Sequence, residues 1–180
     1  SYRVMIYTSE KEEVELLLNL VLKIFNYKSS VRPRKTGFSN RVNYEIYISS
    51  KKIAIFLNSL GIPFGAKSYN ITVPKIIYDC QEDHFWHYFR GLFDGDGSII
   101  FQGYNSLLKI ASGSEKFLNQ LKDMLSSSGF KTFKVSKQDK NVWALRTNTK
   151  SEIKKIHELI YKNALFYYPR KKLKWDKHYV

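Results

Sequence analysis

The sequence predicts an α+β fold built from two similar halves. Three observations support this: an internal repeat, short segments in which apolar and polar residues alternate as in strands, and longer segments with helical apolar spacing. The chain has 180 residues, of which 43% are hydrophobic and 16% aromatic. This is enough to bury a core in one domain or in two small ones, and it excludes a disordered basic tail.

The internal repeat relates the two halves of the chain. Shifting the sequence by 104 residues places Val4 on Leu108 and Val14 on Leu118, among six apolar matches spread over 28 residues. Further along, the offset falls to 99 and then 100, which a loop of different length would explain. We therefore expect two repeats, residues 1–80 and 81–180, and a pseudo-twofold arrangement rather than a solenoid.

Each copy reads as strand, helix, strand, strand, helix. The first helix carries acidic residues in its first turn, as a helix N-terminus prefers, and the second ends before Gly61 and Pro63. In the first copy we expect these elements at Arg3 to Tyr7, Glu10 to Phe25, Lys28 to Arg34, Arg41 to Ser49 and Lys51 to Leu60.

The second copy contains the same elements and two more before them. A helix from roughly Asp83 to Gly95 and a strand from Ser98 to Tyr104 precede the repeated part. The repeated elements are expected at Leu107 to Ser112, Glu115 to Ser127, Lys131 to Lys137, Asn141 to Asn148 and Ser151 to Asn163.

The charge of the chain predicts a polyanionic partner. Lys and Arg number 30 against 16 Asp and Glu, a formal net charge of +14, and nucleic acid is the usual partner of such a folded domain. Charge that serves only solubility is the alternative. A single cysteine excludes a disulfide framework and predicts a reducing compartment, cytoplasmic or organellar. No signal peptide is visible, and polar residues interrupt the most apolar stretch, Val14 to Phe25, so neither secretion nor a membrane span is expected.

The polar faces of the predicted strands are mostly basic or amide-bearing. A solvated sheet face normally mixes the two signs of charge, whereas this one has few acids. Arg and Lys reach phosphates and guanine edges, and Asn or Gln suits adenine, so we expect these faces to contact double-stranded DNA. The predicted DNA-binding residues are Arg3, Arg32, Arg34, Lys35, Arg41, Asn43, Tyr47, Ile100, Gln102, Tyr104, Lys109, Lys134, Ser136, Lys137, Arg146 and Asn148.

The segment from Phe89 to Gly97 (FRGLFDGDG) carries the chemistry. Gly91 and Gly95 lie four apart on one helix face, and each costs about 1 kcal/mol of helix propensity, which the close approach of a second helix would offset. Asp94 and Asp96 stand at the helix C-terminus, where the helix dipole disfavours negative charge. A bound cation would explain both acids. The alternative is that Asp94 caps the turn and Asp96 is solvated.

This segment resembles the LAGLIDADG motif, and the following Ser98 to Ile100 is typical of the strand after it. The order of elements is also that of the LAGLIDADG family. The resemblance implies a homing endonuclease of an intron or intein, with two antiparallel sheets straddling the DNA major groove and two motif helices packed together. It implies Asp96 as a Mg²⁺ ligand, for which Mn²⁺ or Ca²⁺ can substitute in binding, Gly95 as a backbone carbonyl ligand, and Asp94 as a structural residue.

Two lysines match a weaker part of the family pattern. Gly65 to Ser68 (GAKS), followed by Val73 and Pro74, resembles the G-x-K-S and terminal I-P of archaeal and intein-type members. Lys67 is thereby implied as a basic residue near the cleavage centre, and Lys171 is its counterpart 104 residues later. Phosphate contact or plain solvation is the alternative for both.

The first copy departs from the family pattern because it begins at its second strand. The motif helix and acid expected before that strand are absent from the printed sequence. We therefore expect a fragment, a subunit completed by a second LAGLIDADG helix, or a protein that has lost cleavage. The rival to a nuclease is a catalytically silent nucleic-acid binder, an RNA maturase or a DNA-binding regulator. A protein-interaction module is disfavoured by the charge.

Overall fold

A computed structural model describes residues 2–35, 42–65 and 69–179. The chain divides into two compact units, Ser1–Ser59 and Leu60–Val180. Each unit contains one antiparallel sheet with helices packed against it. The α+β prediction is therefore confirmed, whereas the repeat bounds at 1–80 and 81–180 stay a prediction from the sequence.

The first unit carries a three-stranded sheet in the order β1-β3-β2. The strands alternate between a helix-covered face and an open face, and Val21, Ile48 and Ile53 are buried between sheet and helices. Its elements are β1 (Val4–Thr8), α1 (Lys11–Phe25), β2 (Ser30–Lys35), β3 (Val42–Ile48) and α2 (Lys51–Ser59).

The second unit carries a four-stranded sheet in the order β4-β5-β7-β6. Its elements are α3 (Lys75–Tyr78), α4 (Glu82–Asp96), β4 (Gly97–Gln102), β5 (Asn105–Ser112), α5 (Glu115–Ser127), β6 (Lys134–Asp139), β7 (Val142–Thr147), α6 (Lys150–Tyr161) and α7 (Pro169–Tyr179). Helices α3 and α7 are additions to the elements that the sequence predicts.

The motif helix α4 lies at the centre of the second unit's core. Phe89 and Phe93 are fully buried, and the Phe93 ring lies 4.7 Å from the ring of Trp175, which α7 brings in. The segment before α3 is tied to α5, because the Val73 backbone N–H donates to the side-chain oxygen of Gln120 at 2.9 Å. Helix α4 thus packs against α7 through the Phe93–Trp175 pair, and α3 also contacts α4.

Among the described helices, none combines the length and the apolar character needed to cross a lipid bilayer.

Candidate nucleic-acid interface and motif-helix site

The motif helix ends at a junction that only glycine fits. Gly97 is the first residue of β4, directly after the last helical residue, Asp96. A Cβ at Gly97 would lie 2.5 Å from Cδ2 and 2.6 Å from the carbonyl oxygen of Phe93, closer than any side chain tolerates. The junction thus places Asp96 at the point where helix gives way to strand.

Asp94 points into the protein. Its side chain is 4% exposed, and one carboxylate oxygen accepts a hydrogen bond from the backbone N–H of Tyr168 at 3.0 Å. The Tyr161 hydroxyl approaches the other oxygen at 3.5 Å. Burial raises the pKa of Asp94 to about 6, against the opposing effects of the Tyr168 N–H and the nearby cations. Asp94 therefore fastens α4 to the segment between α6 and α7.

Arg90 fastens the same segment from one turn earlier. The side chain is 8% exposed and donates to two backbone carbonyls, from Nε to Phe166 and from Nη1 to Ile160, both at 2.8 Å. Burial lowers the pKa of its guanidinium. The sequence pattern offered no sign of this role.

Lys171, on α7, binds the C-terminal end of the motif helix. Its ammonium donates to the carbonyl oxygens of Phe93 at 2.7 Å and Gly97 at 2.6 Å. A cation in this position satisfies carbonyls that a helix end leaves open and opposes the negative end of the helix dipole. The structure thus places this lysine on the backbone on either side of Gly95 and Asp96.

Asp96 is exposed and lines an apolar cavity of about 590 Å³. Tyr88, Leu92 and Asp96 follow one another at i, i+4 and i+8, and they form the α4 wall of this cavity. Gly91 and Gly95 lie beside that wall and are exposed, and a Cβ at either would meet no described atom within 4 Å. The remaining walls include Ile62, Ile71, Ile76, Ile77 and Phe117.

The residues at this end of α4 fit part of a Mg²⁺ site. Mg²⁺ takes oxygen ligands and commonly uses one or two carboxylates, with water and phosphate completing the shell. Asp96 offers an exposed carboxylate, and Gly95 adds no side chain to block its carbonyl. Within residues 2–35, 42–65 and 69–179, no three His, Cys, Asp or Glu side chains cluster closely enough to hold a metal.

The outer face of the four-stranded sheet carries a row of three cations. Lys109 is in register with Arg146, and Arg146 with Lys134, so one charge from each of β5, β7 and β6 stands side by side. No described acid forms an ion pair with these three, and the only acid in the four strands is Asp139. Like charges directly opposite each other destabilise a sheet. An anionic ligand would remove that cost.

Several other residues predicted to contact DNA surround this row. Ile100 and Gln102 share the exposed face of β4, and Ser136 lies on the same side of β6 as Lys134. The exposed Tyr104 and Asn148 lie outside the strands, in the β4–β5 turn and just after β7.

Lys137 differs from the expectation for this face. It is in register with Trp143, whose side chain packs against the core, and its ammonium lies 6.0 Å from the centre of the Trp143 ring. Side chains alternate along a strand, so Lys137 falls on the opposite side from Lys134. Lys137 therefore lies outside the row formed by Lys109, Arg146 and Lys134.

The outer face of the three-stranded sheet joins arginines to a single acid. Arg34 donates to the Glu45 carboxylate at 2.7 Å, and the Tyr47 hydroxyl donates to the other carboxylate oxygen. The guanidinium groups of Arg3 and Arg32 lie over the Tyr47 ring, 5.4 and 5.1 Å from its centre.

The remaining predicted residues of the first unit fall elsewhere. Asn43 lies on β3 opposite Arg34. Lys35 ends β2, while Arg41 and Lys67 lie outside the described residues. The sequence prediction did not include Glu45, because its contact with Arg34 depends on the pairing of β3 with β2.

Comparison with known proteins supports the sequence resemblance. Residues 87–161 match the family model of the LAGLIDADG-like domain. The uncharacterized protein MJ1054 of Methanocaldococcus jannaschii is 32% identical over 124 residues, which is 65% of this chain and 14% of that protein. A DNA polymerase of Thermococcus sp. is 28% identical over 148 residues, 82% of this chain and 8% of the polymerase. The chain thus spans a small part of each relative.

Solved structures share the fold at low sequence identity. I-DmoI in complex with DNA and Ca has a TM-score of 0.66 at 18% identity, covering 98% of this chain and 83% of that one. The N-terminal LAGLIDADG domain of WhiA scores 0.61 at 16% identity, covering 100% and 77%. The homing endonuclease I-WcaI, bound to its DNA recognition sequence, scores 0.59 at 15% identity, covering 96% and 74%. The chain has the LAGLIDADG fold, and the resemblance to that family is confirmed.

Proposed function

We propose that this protein is a homing endonuclease, or a subunit or fragment of one, that binds double-stranded DNA and makes metal-dependent double-strand breaks. The observation that carries the proposal is the row formed by Lys109, Arg146 and Lys134. Adjacent strands are roughly 4.8 Å apart, so the three side chains concentrate positive charge on an exposed strip of the sheet. Such a strip suits the binding of a phosphate backbone. The fold neighbours bound to DNA support the same partner.

In this proposal Asp96 and the Gly95 carbonyl hold Mg²⁺ beside the phosphate to be cut. The chemistry that a bound Mg²⁺ supplies is neutralisation of phosphate charge and activation of water. Lys171 and the Asp94 carboxylate hold the end of the motif helix in place, so that the exposed carboxylate keeps its position. Lys67 is proposed to add a cation at the same centre. I-DmoI structures with Mn, Ca and Mg support the choice of divalent cations.

A second LAGLIDADG helix is proposed to pack on α4 and complete the centre. The exposed glycines Gly91 and Gly95 leave room for close backbone approach, and the apolar cavity beside them provides surface to bury. That helix, from a partner chain or from sequence beyond the printed residues, would bring a second acid toward Asp96. The match to a small part of a DNA polymerase supports an intein setting.

A matched pair of lysines tests the DNA-binding face. Lys134 and Lys137 lie on the same strand and carry the same charge on opposite sides of it. We expect Lys134→Ala to lower the affinity for short DNA duplexes of random sequence several-fold, while Lys137→Ala leaves it nearly unchanged. Fluorescence anisotropy titration at fixed salt measures both. Equal affinity losses for the two variants would contradict DNA binding through this face.

The second candidate is a catalytically silent nucleic-acid binder of the same fold, such as an RNA maturase or a DNA-binding regulator. The observation that favours it is the contact of Lys171, whose ammonium donates to the backbone carbonyls of Phe93 and Gly97. This contact gives the lysine a structural role rather than a catalytic one. Supercoiled plasmid that contains a DNA site selected by the protein separates the two functions. Linear product that forms with Mg²⁺ and not with EDTA indicates the nuclease, whereas tight binding without product indicates the silent binder.

A further inference from the structure

The three-stranded sheet places one acid among arginines. Glu45 is the only acidic residue in β1, β2 and β3, and it stands on the open face that Arg32 and Arg34 share. Its side chain is nonetheless only 9% exposed. An acid on a face that is proposed to bind DNA repels the phosphate backbone, so the presence of Glu45 there needs an explanation.

The contacts of Glu45 fix the direction of one arginine. One carboxylate oxygen accepts from Nη1 of Arg34 at 2.7 Å, and the other accepts from the Tyr47 hydroxyl. These two donors, the Tyr47 hydroxyl foremost, hold the pKa of Glu45 below its usual range, so the carboxylate is charged at neutral pH. Arg34 is therefore tethered at one nitrogen by an ionised partner.

Among the residues that the structure describes, Glu45 alone accepts a hydrogen bond from the Arg34 guanidinium. The Arg34 side chain is 64% exposed. The donors left over include Nη2 and Nε, two parallel N–H groups of the kind that bind O6 and N7 of guanine together. The hydrogen bond from Nη1 to Glu45 already restricts the Arg34 side chain. Less conformational entropy is therefore lost when Nη2 and Nε bind a base.

Tyr47 is itself held in place. The guanidinium groups of Arg3 and Arg32 lie 5.4 and 5.1 Å from the centre of its ring, within the range of cation–π attraction. These contacts fix the ring whose hydroxyl binds Glu45. Tyr47 thus connects Arg3, which directly precedes β1, and Arg32 of β2 to the carboxylate of Glu45.

We propose that Glu45 is a positioning residue that orients Arg34 to read one guanine in the DNA target, with Tyr47 holding Glu45 in place. The inference rests on the proposed DNA binding. It goes further by naming the residues that determine specificity at one base pair of the target. Stability does not explain the arrangement, because ion pairs with a solvent-exposed partner contribute little to folding.

Selection from a pool of random-sequence DNA duplexes, followed by sequencing of the bound fraction, tests the inference. For Glu45→Gln we expect the guanine preference at one position to fall about tenfold, as for the loss of a well-formed bidentate contact. Affinity for the unselected pool stays the same or rises, because the change removes a negative charge. Arg34→Lys keeps its charge but loses the two parallel N–H groups, so it should lose preference at the same position.

Two controls make the result specific. Glu12→Gln removes an exposed acid from α1 and should leave every base preference unchanged. The double variant, Glu45→Gln with Arg34→Lys, should lose no more preference than Arg34→Lys alone, because both changes remove one interaction.

Three results would overturn the inference. Unaltered base preferences in Glu45→Gln would show that the carboxylate does not position Arg34. A uniform loss at all positions, or different affected positions in Glu45→Gln and Arg34→Lys, would assign Glu45 to folding alone. Failure of the wild-type protein to bind the pool would instead refute the proposed DNA binding, on which the inference rests.

Discussion

Asp94 and Asp96 are separated by one glycine and have opposite environments. Asp94 is buried and accepts a backbone N–H, whereas Asp96 is exposed at the cavity. The helical turn explains the difference, because residues two apart on a helix point in different directions. One carboxylate is thereby committed to the structure, and the other is exposed, as the proposed metal ligand has to be.

Asp96→Asn is expected to abolish DNA cleavage and to leave DNA binding equal or tighter. The change removes the charge that would hold a metal ion and also removes a repulsion toward phosphate. Cleavage of a plasmid carrying the selected site and anisotropy titration of the same site measure the two effects. Cleavage at the wild-type rate would show that Asp96 is not a metal ligand.

The buried Asp94 should make the free energy of unfolding depend on pH. Its pKa is raised to about 6 in the folded protein, whereas an unfolded aspartate has a pKa near 4. The folded state therefore holds the proton more tightly, and the stabilisation present below about pH 4 is lost as the pH rises through about 6.

Asp94→Asn removes this dependence. The stability difference between wild type and variant should change by up to about 3 kcal/mol between pH 4 and 7, with the wild type relatively less stable at the higher pH. Urea denaturation at several pH values measures it. A difference that is constant across this range would indicate that Asp94 titrates normally.

Some of these residue-level features were predictable from the sequence and others were not. The position of both acids at the helix end predicted a bound cation, and the family resemblance assigned the ligand role to Asp96 and a structural role to Asp94. The contacts of Lys171 with Phe93 and Gly97 depend on helices more than seventy residues apart in the chain. No local pattern encodes such a meeting.

At the scale of elements, the glycines in the motif helix differ from the glycine that follows it. Gly97 has no room for a Cβ, whereas Gly91 and Gly95 meet no described atom that would exclude one. The two helical glycines therefore weaken α4 without easing any contact in the described chain, and a helix packed closely on α4 would account for them.

Gly95→Ala and Gly97→Ala should accordingly have opposite effects on stability. Gly95→Ala is expected to raise the free energy of unfolding by up to about 1 kcal/mol, through improved helix propensity. Gly97→Ala should lower it by about 1–3 kcal/mol, because the new methyl group overlaps Phe93. Urea denaturation compares the two, and similar effects of both substitutions would contradict the geometry at the helix end.

Lys171 should matter for folding through its bonds to the end of α4. Lys171→Met keeps an unbranched side chain, one atom shorter, but removes the ammonium that donates both hydrogen bonds, and we expect a loss of about 2 kcal/mol in the free energy of unfolding. Lys174→Met, on the exposed side of the same helix, is the matched control and should change stability by less than about 0.5 kcal/mol. Equal losses for both would contradict the helix-capping role.

The periodicity of the sequence predicted most elements and failed for two. Helix α3 is only four residues long, too short for a period to show. Helix α7 has six Lys, Arg or His side chains among eleven residues, and it is anchored mainly by the fully buried Trp175. One buried side chain gives no periodic signal, so tertiary contacts decide that α7 forms.

At the scale of the whole molecule, basic residues lie on the open faces of both sheets, and the two faces arrange them differently. The four-stranded sheet presents a row of three neighbouring cations, which suits phosphates. The three-stranded sheet presents arginines fixed by Glu45 and Tyr47, which suits base edges. Composition predicted the charge and the class of partner, but only strand register shows which cations stand together.

The salt dependence of DNA binding tests the central claim most directly. We compare the wild type with a triple variant in which Lys109, Lys134 and Arg146 are replaced by glutamine. The logarithm of the wild-type association constant should fall linearly with the logarithm of salt concentration, by about 0.9 per neutralised phosphate. In the triple variant the slope should be shallower by roughly two to three such units. A wild-type affinity that does not change with salt, or an identical slope in the triple variant, would contradict DNA binding through this face.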